Sequence, residues 1–558
     1  MDSILIPKNP SIFNPAVEKK YQKMKTITVK NIKLISFAML LMAGITSCEK
    51  YLDRDGTELS ALNPINTDVA AGSWKTYTGT GMADYATVVT TPDAVTSAKY
   101  LSEIEEVKAE VGKIDDARRE AIRYWNGGGI LRWNQIMREL VAKNNLPPAE
   151  SSDFSKSTTF PYPLPNSADP DNVNGSGTTF PFSNPPYAAR AYSYVSVAQY
   201  DALVMAMALK AKYARKSPNA IDVSIIPIIV SAPKLNAFPS EDAVMAAVSY
   251  EFLKRLFPRA ADTLYLYKKK EEQKWFKLWA GVSTRSDIEA GEKLGKAVYA
   301  KVFARFRADG MASAVGTQVK WDSLTKRCEE RNEIAWKSME DSPRPPMLAM
   351  YGNVSTWNMD RATLTAISAS VPPLLTKSAE FQAQVAEVKK YTDNPTRENI
   401  AIVHYWADGV GTHTPPGHWN QIAEKYIVAA RQSEVRMARN YALLNTAMMD
   451  ASVSCWYTKS LYYFPRPSQM DPSIKTLTGL PNFPSYTSGH STFSSAAATV
   501  LSYIFPEGAS SFQSQAQEAS MSRLYGGIHY KMDCEGGLKI GKAVGDKAVL
   551  RGQSDGVQ

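Results

Sequence analysis

Apolar residues recur three and four positions apart through six long segments: Ala189–Lys212, Ala243–Leu256, Ile288–Arg307, Phe381–Tyr391, Glu434–Thr458 and Thr492–Ile504. That spacing places side chains on one face of a 3.6-residue turn, whereas a half-buried strand needs a period of two, and no comparably long alternating run exists. The chain is therefore predicted to be mainly α. The stretch Ser151–Pro186 is rich in Ser, Thr, Pro and Gly, has no period and contains several turn dipeptides. It reads as a long surface connection inserted within a bundle.

The helical pattern also repeats. Tyr124-Trp125 followed by Trp133-Asn134-Gln135-Ile136 recurs as Tyr405-Trp406 followed by Trp419-Asn420-Gln421-Ile422. Ala189-Arg190, Tyr192, Ala198 and Asp201-Ala202 recur at identical spacing as Ala438-Arg439, Tyr441, Ala447 and Asp450-Ala451. Phe238-Pro239-Ser240, leading to Leu256-Phe257-Pro258, recurs as Phe483-Pro484-Ser485, leading to Ile504-Phe505-Pro506. Three matches in one order predict two related helical bundles, an internal duplication with its boundary near 310–380. The N-terminal bundle would cover 48–310 and the C-terminal one 380–558. After its Phe-Pro-Ser the second copy has Ser488, Gly489 and His490, where the first has Glu241-Asp242. The first bundle is accordingly read as non-catalytic and the active site as lying in the C-terminal one.

Composition refines this picture. The chain has 558 residues, 44% of them hydrophobic, enough for one large core or two ordinary ones. The net charge of +9 suggests a nucleic-acid or membrane partner until it is traced along the sequence. More than half of it comes from the seven lysines of residues 1–47, which face only Asp2 and Glu18. The remainder interleaves acids and bases and reads as a solvated surface, with no nucleic-acid partner. If Met24 is the true start, Lys25, Lys30 and Lys33 form a basic region, Leu34–Ile45 an apolar stretch too short to span a bilayer, and Ile45-Thr46-Ser47 an exit before Cys48. This resembles the signal of a bacterial lipoprotein, with residues 1–47 removed and Cys48 lipidated. It implies an exported protein, periplasmic or tethered to the cell envelope by a lipid anchor. The remaining cysteines, Cys328, Cys455 and Cys534, are odd in number, which excludes a complete disulfide framework; they read as buried thiols, the alternative being a pairing of Cys455 with Cys534, which each flank a motif.

All five histidines, His404, His413, His418, His490 and His529, lie in the second half. Lys459 is followed after six residues by Arg466-Pro467; Ser488-Gly489-His490 follows; then Ser522-Arg523, five residues, His529, three residues and Asp533. Lys459, Arg466 and Arg523 would repel one another without an anion among them, and a tetrahedral oxyanion needs donors on several faces. At an effective dielectric near 20, each contact at ~4 Å contributes roughly 4 kcal/mol before desolvation. Ser488 and the backbone N–H of Gly489 would add a hydroxyl and an amide at the start of a helix beginning near Thr492. His529 and Asp533, four apart, are expected on one helical face, the carboxylate holding one ring nitrogen protonated and leaving the other available.

This three-part pattern resembles the signature of the superfamily that joins type-2 phosphatidic acid phosphatases, bacterial nonspecific acid phosphatases and vanadium-dependent haloperoxidases. The resemblance covers about 75 residues. It implies that His529 is the nucleophile of a phosphatase, forming a phosphohistidine, or the apical ligand of vanadium in a haloperoxidase. His490 would be the acid/base in either. Thr487 departs from the pattern, which has a proline there. Trp456 and Phe483, followed by Pro484 and Tyr486, resemble the pocket wall of vanadium chloroperoxidases, whereas bromoperoxidases tend to carry histidine in the place of Phe483. The resemblance thus favours a vanadium-dependent haloperoxidase-like enzyme that holds vanadate and oxidises halide with hydrogen peroxide. The alternatives are a metal-independent phosphomonoesterase acting on a soluble or lipid phosphate, with no cofactor, and an inactive envelope lipoprotein that binds a partner. His413 and His418 could suggest a metal pair but have no cysteine or acidic cluster beside them, so they read as a packed loop near the cleft, and His404 as a helix-packing histidine.

Overall fold

The computed structural model describes residues 59–145, 185–229, 235–340 and 343–557. The segment 1–47, Met24, Cys48 and residues 151–184 of the expected surface connection lie outside the described residues. Described structure is helical throughout, with no strand. Its main helices are α1 (Ala98–Val111), α2 (Asp116–Trp125), α3 (Gly129–Asn144), α4 (Pro185–Tyr213), α5 (Glu241–Leu256), α6 (Ala260–Trp279), α7 (Arg285–Ala308) and α8 (Gln318–Glu330). They continue as α9 (Arg361–Ala369), α10 (Ala379–Asp393), α11 (Arg397–Tyr405), α12 (Thr414–Ala429), α13 (Glu434–Tyr462), α14 (Gly489–Ile504), α15 (Ala509–Tyr525) and α16 (Lys531–Gln553). None of the described helices is long and apolar enough to cross a membrane.

Each of the six periodic segments lies within one helix. Five of the six helices start earlier than the apolar pattern, α13 alone starting with it, because the chain enters through polar caps. Ser240, Thr284, Ser378, Ser433 and Ser488 each accept a hydrogen bond from a backbone N–H of the first turn.

Residues Asp55–Gln558 form one compact unit. At its centre α4 packs along α13. Both are buried around nearly their whole circumference, α13 without a break from Met437 to Trp456. A helix placed so can carry few large polar groups, and Arg190, Asp201, Arg439 and Asp450 are each held by internal partners. Arg190 on α4 donates to Asp309 (2.7 Å) and to the carbonyl of Phe306, and Arg439 on α13 donates to Asp555 (2.7 Å) and to the carbonyl of Gly552. Asp201 accepts from the backbone N–H groups of Tyr77 and Thr78, and Asp450 from those of Trp357 and Asn358. The repeated Arg and Asp residues are thus internal anchors that make matching contacts in the two halves. Asn134 and Asn420, from the repeated Trp-Asn-Gln-Ile motif, hydrogen-bond to each other at 2.8 Å.

The structure shifts the third repeat. Sequence matching sets Ser240 against Ser485, but the residue that caps α14 as Ser240 caps α5 is Ser488. The three-residue slip is taken up by the longer loop before α14, so Glu241 and Asp242 stand at the helix positions of Gly489 and His490.

Candidate functional site

Lys459 lies in the last turn of α13, which ends at Tyr463 in a left-handed conformation and releases the chain into a loop. That loop carries Arg466, Phe483 and Ser485 and delivers the chain to Ser488, the cap of α14. Arg523 comes from the last turn of α15, His529 from the turn that follows, and Asp533 from the first turn of α16. Lys459, Arg466, Ser488, Arg523, His529 and Asp533 are all at most 3% exposed. Gly489 and His490 are half-buried.

Three buried cations gather here, and the hydrogen bonds of their side chains go to backbone carbonyls, Ser522 and His529, with none to a carboxylate among the described residues. The Lys459 ammonium gives its protons to the carbonyls of Pro484, Ser485 and Thr487 at 2.8, 2.9 and 2.6 Å. Its donors are thereby all taken, so what it offers the site is its charge, in keeping with its reading as a point charge. Arg466 donates from Nε to Phe483 O and from Nη1 to Ile528 O and His529 Nε2, while its buried Nη2 has no partner. Arg523 is held by Ser522 and by the carbonyls of Val403 and Trp406. Burial without compensating charge lowers all three: Lys459 to about 7, Arg466 to about 10 and Arg523 to about 10.

His529 meets Asp533, but not across a helical face as the spacing suggests. His529 precedes the cap residue of α16, and Asp533 in the first turn folds back to accept from the Tyr530 N–H at 3.2 Å and from His529 Nδ1 at 2.9 Å. Ser485 donates to the same carboxylate at 2.5 Å. Because guanidinium can only donate, the 3.1 Å contact from Arg466 makes His529 Nε2 the unprotonated nitrogen and Nδ1 the N–H. Burial, with Arg466 and Lys459 adding, holds His529 well below the usual imidazole range. The result is a neutral imidazole with one lone pair directed at the cationic cluster.

His490 leaves the first turn of α14 with Nε2 buried and unsatisfied, 3.6 Å from Asp408. Asp408 accepts from His418 Nδ1 at 3.0 Å, and His418 stacks on Trp406 with 4.5 Å between centroids. Burial pushes His490 down to about 4, with Arg523 adding and Asp408 opposing. Burial would raise Asp408, but His418 and His490 hold it well below the usual carboxylate range. Asp408 and Ser485 are the site residues that the sequence reading missed. Asp408 sits in a non-periodic loop far from the three motifs, with only the neighbouring His413 and His418 to mark it, and Ser485 was read only as part of the repeat.

Phe483 lies between two cations, its ring centre 5.0 Å from Lys459 Nζ and 5.0 Å from the Arg466 guanidinium carbon. Trp456 packs on it at 5.1 Å, so the two form one wall. Ser488 Oγ accepts from the Ser491 N–H as the helix cap, which leaves its hydroxyl proton to donate. His413 contacts Gln421 at 3.3 Å. His404, expected to pack between helices, is exposed on α11 instead, because the buried face of that short helix is formed by Val403. Cys328, Cys455 and Cys534 are buried free thiols. Among the described residues no group of three His, Cys, Asp or Glu side chains is arranged to hold a metal cation.

Three buried cations without a carboxylate partner, a neutral imidazole whose Nε2 accepts from one of them, and the start of α14 thus belong to one buried cluster, and that set suits a tetrahedral oxyanion. Buried, unpartnered Arg466 Nη2 supports the fit from the structure itself.

Residues 440–547 match the family model of the PAP2 superfamily. Among solved structures, a bacterial vanadium-dependent iodoperoxidase is similar with a TM-score of 0.52 and 21% identity, over 69% of this chain and 95% of that one. A bacterial vanadium-dependent chloroperoxidase in its holo form follows with a TM-score of 0.48 and 12% identity, over 69% and 96%. The first likeness establishes the helical haloperoxidase fold. No curated protein matches the chain.

Proposed function

We propose, from the PAP2 superfamily match over residues 440–547, that the chain is a vanadium-dependent haloperoxidase-like enzyme whose active site is the cluster around His529. The observation that carries this reading is a set of three buried cations with no carboxylate partner, one of which, Arg466, donates to His529 Nε2 and keeps a second buried nitrogen unpartnered. Vanadate would be held by Lys459, Arg466, Arg523, the Ser488 hydroxyl and the Gly489 N–H, with His529 Nε2 as the ligand to vanadium. When bound, it supplies a Lewis-acid centre that polarises peroxide for attack by halide. The protein's part is to neutralise the oxyanion's charge, to keep His529 in the Nδ1–H tautomer through Asp533, and to take a proton from peroxide on His490. Asp408 stabilises the imidazolium that forms. The neutral resting state of His490 supports a proton-accepting role, and the wall of Trp456 and Phe483 the chloroperoxidase-like pocket.

A second reading is favoured by the orientation of His529. Its lone pair, backed by Asp533, could attack a phosphomonoester: a bond forms from Nε2 to phosphorus, and the alcohol leaves with a proton from His490. That role requires His490 to be charged by the bound phosphate, against its resting state. In both readings residues 380–558 form the catalytic bundle and 48–310 a related non-catalytic one, and the chain is exported and anchored through Cys48.

Parallel assays on the chain from Glu49 onward separate the readings. Halogenation of a phenol dye with vanadate, peroxide and bromide, reduced at least about 10³-fold in His529→Ala, is the expected result. Phosphate release from a chromogenic monoester, suppressed by vanadate and without halogenation, would replace it with the phosphatase. A His529→Ala protein that retained every activity would leave only a binding protein.

A further inference from the structure

The first half contains cations in the positions of those at the candidate site. The register that lays Ala189 on Ala438 and Asp201 on Asp450 also lays Lys210 on Lys459. Helices α7 and α16 share a start in which the acid of the first turn bonds back to the cap residue's N–H: Asp287 to Thr284, Asp533 to Tyr530. The register that pairs these starts lays Lys277 on Arg523. The junction to the preceding helix matches as well, since Ser240 N–H donates to Asp287 O at 2.9 Å and Ser488 N–H to Asp533 O at 3.0 Å. Arg215, in the loop after α4, lies 4.5 Å over Phe238 and binds Asp287, much as Arg466 lies 5.0 Å over Phe483 near Asp533.

What differs is the filling. At the helix positions of Gly489 and His490 the first half has Glu241 and Asp242, and Ser283 stands where His529 does. The Glu241 carboxylate lies 2.7 Å from Lys210 Nζ and 3.4 Å from Lys277 Nζ; Asp242 lies 3.1 Å from Lys277 and accepts from Gln273 at 3.3 Å. We propose that the first half holds a second tetrahedral-oxyanion site that the chain fills itself, the carboxylate of Glu241 standing where phosphate or vanadate would sit.

The electrostatics of the two clusters are opposite, as this requires. Burial works to raise Glu241, yet Lys210 and Lys277 bring it to about 2, and the paired carboxylates raise Lys277 in spite of burial. Lys459, with no carboxylate partner, falls to about 7. Similar cations are satisfied in one half and left requiring an anion in the other. Glu241, Asp242 and Lys277 also line a cavity with Trp125, Leu203 and Phe276, which gives an incoming anion room once the carboxylate is removed. The proposal rests on the reading of the Lys459 cluster as an oxyanion site, and its test keeps the two apart.

Inorganic phosphate is titrated calorimetrically into three full-length proteins: native, Glu241→Gly with Asp242→Ala, and that pair with Lys210→Met. One, two and one equivalents are expected. A native protein that binds none would refute the function proposed above, while a gain of one equivalent in the double variant would still support the inference. A folded double variant that gains no equivalent overturns it. Should the double variant fail to fold, the isosteric Glu241→Gln is measured by thermal unfolding in phosphate and in chloride of equal ionic strength. A recovery of stability specific to phosphate, absent when Lys210→Met is added, is the expected result, and equal curves in the two salts overturn the proposal.

Discussion

At the scale of single residues the site is defined by what each group is denied. Lys459 is denied a carboxylate, so burial lowers it to about 7. An oxyanion restores the charged form, so binding at pH 8 takes up a proton. Calorimetry in buffers of differing ionisation enthalpy should show that uptake, and Lys459→Met should abolish it. Asp408 is bonded to His418 and near His490, and its negative charge favours the charged form of His490. In Asp408→Asn, His490 falls further below about 4, so the acid limb of the rate profile moves to lower pH. The imidazolium formed in turnover loses its counter-charge, and kcat falls about 10-fold. A rate profile recorded from pH 4 to 8 checks both. The three motifs were legible because their residue types and spacing are unusual together. Asp408 was not, since a lone aspartate in a loop has no period to betray it. Lys277 was hidden differently: it falls on Arg523 only when the starts of α7 and α16 are paired, whereas the match of Lys210 to Lys459 already follows from that of Ala189 to Ala438.

At the scale of elements, the start of α14, which carries Ser488, Gly489 and His490, is positioned by glycines of α16. A Cβ at Gly541 would lie 2.3 Å from Thr492 O, and one at Gly537 2.8 Å from Ser488 O. Gly541→Ala should therefore destabilise the protein by about 1–3 kcal/mol and, by pushing α14 away, weaken phosphate binding. Thermal unfolding and a phosphate titration test this, with Gly479→Ala, where nothing lies within 4 Å, as the neutral control. The helices themselves were readable from apolar spacing because each buries a definite face. Their starts were not, since a cap is a polar residue outside the apolar pattern. That is why the Phe-Pro-Ser match slipped by three residues and why His529 was expected on a helix it only precedes.

At the scale of the molecule the long helices of the two halves depend on each other. The buried length of α13 includes the surface it presents to α4, with Asn445 bonded to Ser196 across the contact. Residues 380–558 expressed alone would expose that apolar face and are expected to give a dye-binding, non-cooperatively melting species, checked by circular dichroism and calorimetry. Asp55–Gln558 should instead unfold in one transition. Sequence periodicity marks a buried face but not what covers it, so the helices could be read while the packing of α4 on α13 could not.

The early residues that cross to the far end of the chain add a matter of timing. Arg551 donates to the carbonyls of Lys75 and Thr76, 476 and 475 residues away, Lys75 N–H bonds Asp555 O, and Asp68 pairs with Arg436. Closing so long a loop gains nothing until both ends are present, so these contacts belong after the main barrier to folding. Were the chain exported as proposed, threading through a translocation pore would keep this clasp open and α16 undocked, and with it His529 and Asp533 apart from Lys459 and Arg466, until α16 itself had emerged.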